Sequence, residues 1–373
     1  MPAQWRVIDD AGELEALAPR WDDLAVLRGR PFATPAWLLP WWRHARPRRS
    51  QLHVVAVESA GELIGLSPWY AHRARDHGLV LRPLGGKTCD RVETLALPGN
   101  EAAVARATVE ALVAQGRVAQ VAFEGQDSGS PWPALLAQAW PGRHRAKVRL
   151  VRTAPAPVVH LAGTTFDEWF MSKTTHFRQR MRKARKEFDK QDGRFRLATA
   201  DHFEHDLAAF VRVHRARWQA RGGSQALTPG VEQILFEAGR ELLPSGRFRL
   251  WSLEVGGEVV SSHILLRAAG EVGYWLTGWV ASDRVGSTSL LGVLNSIEDA
   301  FSIGAERVQL GEGGFPYKYR FATGEDELRW TCLVPPGLGS RSAMAHLRLL
   351  GPRTRRLAGR RLPEPVKDRL RRL

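Results

Sequence analysis

The stretch LTGWVASDRVGSTSLLGVLNSIEDAFSIGAERVQLG, residues 276–311, contains the pattern that decides the fold. A strand pattern ends near Val280, a polar turn with Gly286 follows, and the apolar spacing of a helix begins at residues 287–289. A helix N-terminus offers free N–H groups and the positive end of the helix dipole, so this turn is a candidate phosphate site. Serine and threonine at a helix start are also ordinary capping residues. The pattern alone leaves both interpretations open.

Outside this stretch, the chain divides into two parts with a similar order of elements. The first part has predicted strands in LHVVAVES, ELIGLSPWYAHR, LVLRPLGG, VETLAL, VAQVAFEG and AKVRLVR, with helices at residues 101–115 and in PWPALLAQAW. The second part has a strand in GRFRLATA, two helices, three strands within residues 247–280, and a last strand in ELRWTCLV. Glycine-centred turns join several strands as hairpins. The sequence therefore predicts mixed α/β (α+β) domains with mainly antiparallel sheets flanked by helices.

A basic segment, residues 172–190, lies between the two parts. Four apolar residues recur there at helical spacing and form one stripe: Phe177, Met181, Ala184 and Phe188. The stripe predicts a helix that docks on a core, with its arginines on other faces. Two compatible roles remain open for Arg178, Arg182 and Arg185, which are a solvated charged surface and contacts with an anionic ligand.

The chain carries a formal net charge of +15, and more than half of it lies at the C-terminal end. Residues 341–373 contain eleven Lys/Arg against Glu364 and Asp368. This basic tail leaves three interpretations open: contact with an anionic membrane surface, contact with nucleic acid, or a disordered end.

The N-terminus has charges where a secretion signal needs an apolar run, and no stretch reaches the ~18 apolar residues of a membrane span. A soluble, cytoplasmic protein is therefore expected. Cys89 and Cys332 have no metal-site spacing and are expected to be free thiols. The sequence DHFEHD, residues 201–206, is expected to cap a helix rather than to bind a metal ion.

The order of hairpin strands, turn, helix, strand and tyrosine-bearing helix resembles the acyl-CoA half of GNAT acyltransferases. Over residues 21–334 the chain resembles tandem members of that superfamily, which include Fem-type peptidyltransferases and acetyltransferases associated with cellulose and polysaccharide biosynthesis. The segments that carry the resemblance are PFATPAWLLPWWRH, LRPLGGKTCDRVETL, FRQRMRKARKEF, RARWQARGG, GSTSLLGVLNSIEDAFSIGAERV and GEGGFPYKYRF. The resemblance implies two tandem GNAT-like domains, at residues 1–160 and 161–340, followed by the tail at residues 341–373.

The resemblance also implies that acyl-CoA, most simply acetyl-CoA, is the co-substrate and that no metal takes part. The pyrophosphate loop of the family falls on Arg284, Gly286, Ser287, Thr288, Ser289 and Leu290. The strand that polarises the thioester carbonyl contains Leu276, Thr277 and Gly278. Family loops often have two glycines, and this one departs from them in having Gly286 alone.

The catalytic residues are implied in the same way. The helix after the last core strand usually presents a tyrosine to the departing thiolate, so Tyr317 is the expected general acid and Tyr319 the alternative. Tandem relatives often carry an acid where this chain has Gln309. The nearest acid, Glu312, is either a general base or a solvated turn residue. Lys318 lies beside these residues and belongs to the candidate catalytic set.

The first domain is expected to lack a CoA site and to shape the cleft for the acceptor. The expected acceptor is an amine or hydroxyl on a larger molecule, such as a sugar-linked or lipid-linked precursor, with Arg178, Arg182 and Arg185 as substrate-binding residues. One alternative is a Fem-like transferase that takes its acyl group from aminoacyl-tRNA. The other is a non-enzymatic protein that binds nucleic acid or another anion on an inactive GNAT scaffold.

Overall fold

The computed structural model describes residues 3–74, 78–116, 118–142, 145–219, 222–280 and 287–336. Its strands are β1 (Gln4–Ile8), β2 (Gln51–Ser59), β3 (Glu62–Ala74), β4 (Gly78–Pro83), β5 (Leu95–Ala96), β6 (Val118–Asp127), β7 (Lys147–His160), β8 (Arg194–Leu197), β9 (Phe248–Val255), β10 (Glu258–Ala268), β11 (Glu271–Trp279), β12 (Arg307–Gln309) and β13 (Gly324–Val334).

The helices lie between these strands as the apolar spacing predicts. They are α1 (Ala11–Ala16), α2 (Ala18–Leu27), α3 (Pro35–His44), α4 (Glu101–Gln115), α5 (Trp132–Ala139), α6 (Phe166–Met171), α7 (Thr175–Lys190), α8 (Phe203–Gln219), α9 (Pro229–Leu242), α10 (Thr288–Ser302) and α11 (Pro316–Tyr319). None of the helices in the described part of the chain is long and apolar enough to cross a membrane. Cys89 and Cys332 are both free thiols.

The described strands form one sheet of thirteen members. Twelve follow the order β1-β2-β3-β4-β6-β13-β7-β12-β11-β10-β9-β8, and β5 pairs with β3 beside this path. Most neighbours are antiparallel, while β4 with β6 and β11 with β12 are parallel pairs. The predicted mixed α/β fold with mainly antiparallel pairing is confirmed.

Two long strands, β7 and β13, join the first part of the chain (residues 3–160) to the second part (residues 161–336). β13 pairs with β6 on one side and with β7 on the other, from Gly324 opposite Val158 to Val334 opposite Lys147. β7 also pairs with β12 at residues 158–160. The last strand of the second part therefore lies between two strands of the first, and the division at residue 160 stays a prediction.

Helices cover both faces of the sheet because successive strand residues point to opposite faces. On β10, Ile264 and Leu266 pack in a core that α1–α3 share with α8 and α9, whereas Leu265 packs with α6, α7 and α10. Helices α4 and α5 cover the strands of the first part with a core of their own. The shared core, with α3 against α9, joins the two parts in addition to the strand pairing of β7 and β13.

Helix α7 is the basic helix that the sequence predicts. Its N-terminus is capped by Thr174, whose hydroxyl accepts a hydrogen bond from the backbone N–H of Phe177. The predicted apolar stripe is buried: Phe177, Met181, Ala184 and Phe188. α7 therefore docks on the second part and packs against α10.

Candidate functional site

The parallel pair β11–β12 opens into a wedge. The two strands are paired only at residues 271–273 and 307–309, ending with Gly273 opposite Gln309. β11 then continues to Trp279, while the chain after β12 follows β7, with the N–H of Gly313 donating to Pro155. An irregularity in β11 lies at the same place, where Trp275 has no partner on β10. The backbone of residues 274–279 therefore pairs with β10 on one side and has no strand of the described chain on the side toward β12.

One end of the wedge opens into a cleft of about 620 Å³ between the two parts. This volume is in the range of small-molecule sites. The second part contributes β11, the turn at residues 310–312 and α11, and the first part contributes α3 and the loop after β4. Trp275 fixes this junction, because its indole N–H donates to the carbonyl of Thr88 at 2.6 Å. The wedge and the cleft together form the candidate site.

Tyr317 is the tyrosine that faces the cleft. It is half-buried on the short helix α11, and burial raises the pKa of its hydroxyl, which therefore stays protonated and able to donate. Tyr319 is exposed outside the cleft and donates to the carboxylate of Glu325, a bond that raises the pKa of Tyr319. Of the two alternatives, the geometry favours Tyr317 as a proton donor in the cleft.

Lys318 is buried and braces the turn after β12. Its ammonium donates to the carbonyls of Gly311 and Glu312 at 2.9 and 2.8 Å. Burial lowers the pKa of Lys318 to about 8. The Glu312 carboxylate lines the cleft but is paired with the guanidinium of Arg152 at 2.6 Å. The predicted catalytic roles of both residues remain predictions, and the contacts of Lys318 are those of a structural brace.

Asp90 is a cleft carboxylate that the sequence analysis did not single out. It lies on the loop after β4, and burial raises its pKa, with a further rise from Glu312 and opposing effects of Arg91 and Lys318. A carboxylate with a raised pKa is suited to accept a proton near neutral pH. The segment LRPLGGKTCDRVETL contains it, but nothing local indicates that this loop meets the turn after β12.

The opposite end of the wedge lies at the N-terminus of α10. Ser287 has a left-handed backbone, with φ 70°, and its side chain makes no capping bond. Its hydroxyl instead accepts from the guanidinium of Arg180 at 3.0 Å. Thr288 is buried, and Ser289 and Leu290 are half-buried. Of the predicted loop residues, Arg284 and Gly286 lie outside the described residues.

On β11, the other predicted cofactor-binding residues are held by side chains from α8. The carbonyl of Thr277 accepts from Nδ1 of His214 at 2.9 Å, and Nε2 of that ring meets the hydroxyl of Ser224 at 2.8 Å. A Cβ at Gly278 would lie 2.7 Å from the backbone nitrogen of His214. Leu276 and Thr277 line the cleft. Helix α8 thus fixes the backbone amides along the wedge.

A buried polar chain lies under the start of the wedge. The hydroxyl of Tyr274 is 2.5 Å from Nδ1 of His263, whose Nε2 is 2.9 Å from the hydroxyl of Ser261. Burial lowers the pKa of His263 to about 3, so the ring is neutral. A Cβ at Gly292 would lie 1.8 Å from Nε2 of His263. These hydrogen-bonded side chains orient Tyr274, and the His263 ring requires a glycine on the facing turn of α10.

The three arginines predicted to bind substrate lie away from the cleft. Arg178 donates to the carbonyl of Met171 at 3.0 Å, Arg182 lies over the ring of Phe170, and Arg185 pairs with Asp189 and lies over Phe195. None of them is among the described residues that line the cleft. Their role in acceptor binding stays a prediction. Arg180, which the sequence analysis did not single out, reaches the α10 end of the wedge through Ser287.

Gln309 stands at the position where the sequence resemblance implies an acid. Its amide donates to the carboxylate of Glu271 at 2.6 Å, and Glu271 also pairs with Arg307. Gln309 is therefore part of an ion-pair network that supports the base of the wedge. Within the described residues, no group of three or more His, Cys, Asp or Glu side chains is arranged to hold a metal ion.

The second part of the chain is similar to a known protein family. Residues 175–319 match the family described as an acetyltransferase (GNAT) domain. This range extends from the start of α7 to the end of α11 and includes both ends of the wedge. No curated protein matches the sequence.

Several solved structures are similar over both parts. FemX has a TM-score of 0.63 at 9% identity, covering 92% of this chain and 100% of that chain. The C-terminal domain of a putative lysylphosphatidylglycerol synthetase from Agrobacterium fabrum has a TM-score of 0.56 at 12% identity, covering 91% and 98%. L-PGS from Bacillus licheniformis has a TM-score of 0.55 at 13% identity, covering 92% and 98%. At these identities the likeness shows the fold alone, which is GNAT-like.

Proposed function

We propose that the protein is an acyltransferase that takes an acyl group from acyl-CoA, most simply acetyl-CoA, and transfers it to an amine or hydroxyl bound in the cleft. The observation that carries this proposal is the wedge between β11 and β12, which opens on one side to the cleft with Tyr317. The match of residues 175–319 to the acetyltransferase (GNAT) domain supports the same reaction class.

The end of the wedge at the N-terminus of α10, called the donor end from here on, fits an acyl-CoA by the chemistry of its residues. Free N–H groups at the start of α10 and the hydroxyls of Ser287 and Ser289 suit a diphosphate. The guanidinium of Arg180 adds a cation beside Ser287. The amides along residues 276–278 are the proposed partners of the thioester oxygen.

In the proposed mechanism the acceptor attacks the thioester directly, without a covalent enzyme intermediate. Asp90 accepts the proton that the acceptor loses as its new bond to the acyl carbon forms. The backbone amide of Thr277, a residue whose carbonyl points away from β10 to His214, stabilises the oxyanion. When the carbon–sulfur bond breaks, Tyr317 gives a proton to the leaving thiolate. Solvent then returns Asp90 and Tyr317 to their starting protonation states.

A second candidate donor is aminoacyl-tRNA, as in the Fem-type alternative. The observation that favours it is the exposed basic face of α7, which borders the donor end through Arg180. The likeness to FemX and to the lysylphosphatidylglycerol synthetase structures over both parts agrees with this candidate but shows the fold alone. The more specific assignment to polysaccharide biosynthesis remains a prediction from the sequence, and the basic tail lies outside the described residues.

Titration of the purified protein with acetyl-CoA and with free CoA by calorimetry, at moderate salt, tests the proposal. We expect saturable binding that is lost when Ser287 is changed to glutamate, because a carboxylate repels the diphosphate. Gln191→Glu, which adds the same carboxylate and the same charge change at an exposed position just after α7, is the matched control and keeps binding. Absence of CoA binding together with salt-sensitive binding of aminoacyl-tRNA would replace the first donor by the second. Binding of RNA without turnover of either donor would favour the non-enzymatic alternative.

A further inference from the structure

The chemistry of the cleft walls narrows the class of acceptor, and this step rests on the proposed function. Aromatic side chains from both parts line the cleft: Phe32, Trp41, Tyr70, Trp275, Phe315 and Tyr317. Phe315 lies at the mouth of the cleft and is 59% exposed. Such walls favour a flat apolar group, because stacking on aromatic rings adds to the gain from burying apolar area.

Among the described residues that line the cleft, every cation but one already has a partner. Arg82 is paired with Glu124 at 2.7 Å, and Arg91 is paired with Asp127 at 2.7 Å. The ammonium of Lys318 is occupied by two backbone carbonyls. Lys87 is exposed on the cleft rim and has no ion pair or hydrogen bond to another residue that the structure describes. One free cation suits one negative charge, whereas a sugar nucleotide carries a diphosphate that calls for several cations.

The free cation and the proposed base lie on the same loop. Lys87 and Asp90 are three residues apart, so their backbones are at most about 10 Å from each other. Both line the cleft. One small molecule can therefore meet both groups, with its amine at Asp90 and its negative charge at Lys87.

We propose that the acceptor is a small primary amine with an aromatic or similarly flat apolar body and a single carboxylate. The amine points to Asp90 and Tyr317, the carboxylate pairs with Lys87, and the ring lies against the aromatic walls. This class differs from the sugar-linked or lipid-linked acceptor that the sequence resemblance implies.

Binding measured by calorimetry without any acyl donor tests this class. The probes are 4-(aminomethyl)benzoate, benzylamine as its analogue without the carboxylate, glucosamine and UDP-N-acetylglucosamine. We expect the benzoate to bind about tenfold more tightly than benzylamine, since a charge-assisted contact in a partly buried site has about this effect. Lys87→Ala removes the difference between the two aromatic amines, while Lys87→Arg retains it. Lys190→Ala, at an exposed site away from the cleft, leaves both affinities unchanged.

Three outcomes would overturn the inference: tighter binding of glucosamine or the sugar nucleotide, no saturable binding of either aromatic amine, or full discrimination by Lys87→Ala. Full discrimination by Lys87→Ala overturns the inference even if this variant binds both amines more weakly. A folding defect would weaken the binding of both amines equally and would not change the ratio of their affinities. Failure of the proposed function is separable, because it appears as absence of acetyl-CoA binding in the same protein whether or not the amines bind.

Discussion

Tyr317 and Tyr319 are two residues apart but have different surroundings. Tyr317 is half-buried at the cleft, where burial raises the pKa of its hydroxyl. Tyr319 is 44% exposed and donates to Glu325. Only a hydroxyl in the cleft can give a proton to a thiolate that leaves through the wedge.

We therefore expect Tyr317→Phe to lower kcat by about 10²-fold, the lower end of general acid catalysis. Tyr319→Phe serves as the matched control, because it removes the same atom outside the cleft, and it should change kcat less than twofold. The measurement is steady-state release of free thiol from acetyl-CoA with a saturating acceptor. Similar small effects of the two substitutions would remove Tyr317 from the mechanism.

Asp90 is the residue whose substitution should change activity and stability in opposite directions. As the proposed base, it acts only when ionised, so Asp90→Asn is expected to lower kcat/KM by about 10²-fold at neutral pH. Asp127→Asn is a useful comparison, because that carboxylate is paired with Arg91 and Arg30 and does not line the cleft. The measurement is the initial rate at subsaturating acceptor over a pH series.

The stability effect of the same substitution follows from the raised pKa of Asp90. Its folded-state pKa lies above the unfolded value, so the unfolded chain releases the proton first as pH rises. Stability is therefore lost between the unfolded and the folded pKa, and remains lost above both. Asp90→Asn should unfold at a higher temperature than the unmodified protein at pH 8, and the gain should vanish near pH 3. A lower unfolding temperature at pH 8 would show that the carboxylate is not destabilised in the fold.

At the scale of single elements, helix α10 depends on a glycine that faces the sheet. A Cβ at residue 292 would lie 1.8 Å from Nε2 of the buried His263, and the imidazole is fixed on both sides by Ser261 and Tyr274. Alanine in a helix is ordinarily favoured over glycine by about 1 kcal/mol. Overpacking at a site that cannot yield costs more, typically about 1–3 kcal/mol.

Gly292→Ala is accordingly expected to lower the free energy of unfolding by up to about 2 kcal/mol, measured by urea denaturation. Gly129→Ala is the control, since a Cβ there meets nothing within 4 Å and its backbone is not left-handed. It should be neutral within about 0.5 kcal/mol. Equal stability of the two variants would mean that His263 moves freely, and the chain from Ser261 to Tyr274 would lose its orienting role.

Helices and strands of this chain were predictable where their pattern is local. The apolar spacing at residues 101–115 corresponds to α4, and the stripe of four apolar residues in α7 is buried as expected. The short predicted strand AKVRLVR is the beginning of β7, which continues to His160. Its second half, with Pro155 and Pro157, lacks the usual strand composition and is extended because β13 and β12 pair with it. Pairing partners, rather than propensity, set that boundary.

The candidate site was predictable where chain order carries it and not where distant loops meet. Tyr317, which the resemblance implies as the general acid, lines the cleft, and its catalytic role stays a prediction. Asp90 and Lys87 reach the same cleft through tertiary contacts of the loop after β4, such as the hydrogen bond from Trp275 to Thr88. The role of Arg180 could not be predicted, because the sequence pattern of α7 does not distinguish an arginine in solvent from a neighbouring arginine that contacts Ser287.

At the scale of the whole molecule, β13 is the element on which both parts depend. It is the last strand of the second part, and it lies between β6 and β7. Its Asp326 pairs with Arg91 of the first part at 2.9 Å and with Arg307 of the second at 3.4 Å. No local sequence pattern predicts the position of β13 between β6 and β7, because a strand with the sequence ELRWTCLV can pair with any open strand edge. Without β13, we expect the sheet to be interrupted between β6 and β7.

A protein that ends at Thr323 should therefore lose the fold of both parts, whereas one that ends at Pro336 should keep it. The first lacks β13 and exposes the edges of β6 and β7 along their length, together with the core around Leu328 and Leu333, which are fully buried. The second removes only residues outside the described chain. Thermal unfolding followed by circular dichroism compares the two, with one cooperative transition expected for the longer protein only.

A peptide of residues 324–334 added in excess should restore some cooperativity to the shorter protein, since it supplies the missing strand to both edges. If the protein ending at Thr323 unfolds in one sharp transition at the same temperature as the longer one, β13 does not join the two parts, and the two-part cleft built on that junction fails with it.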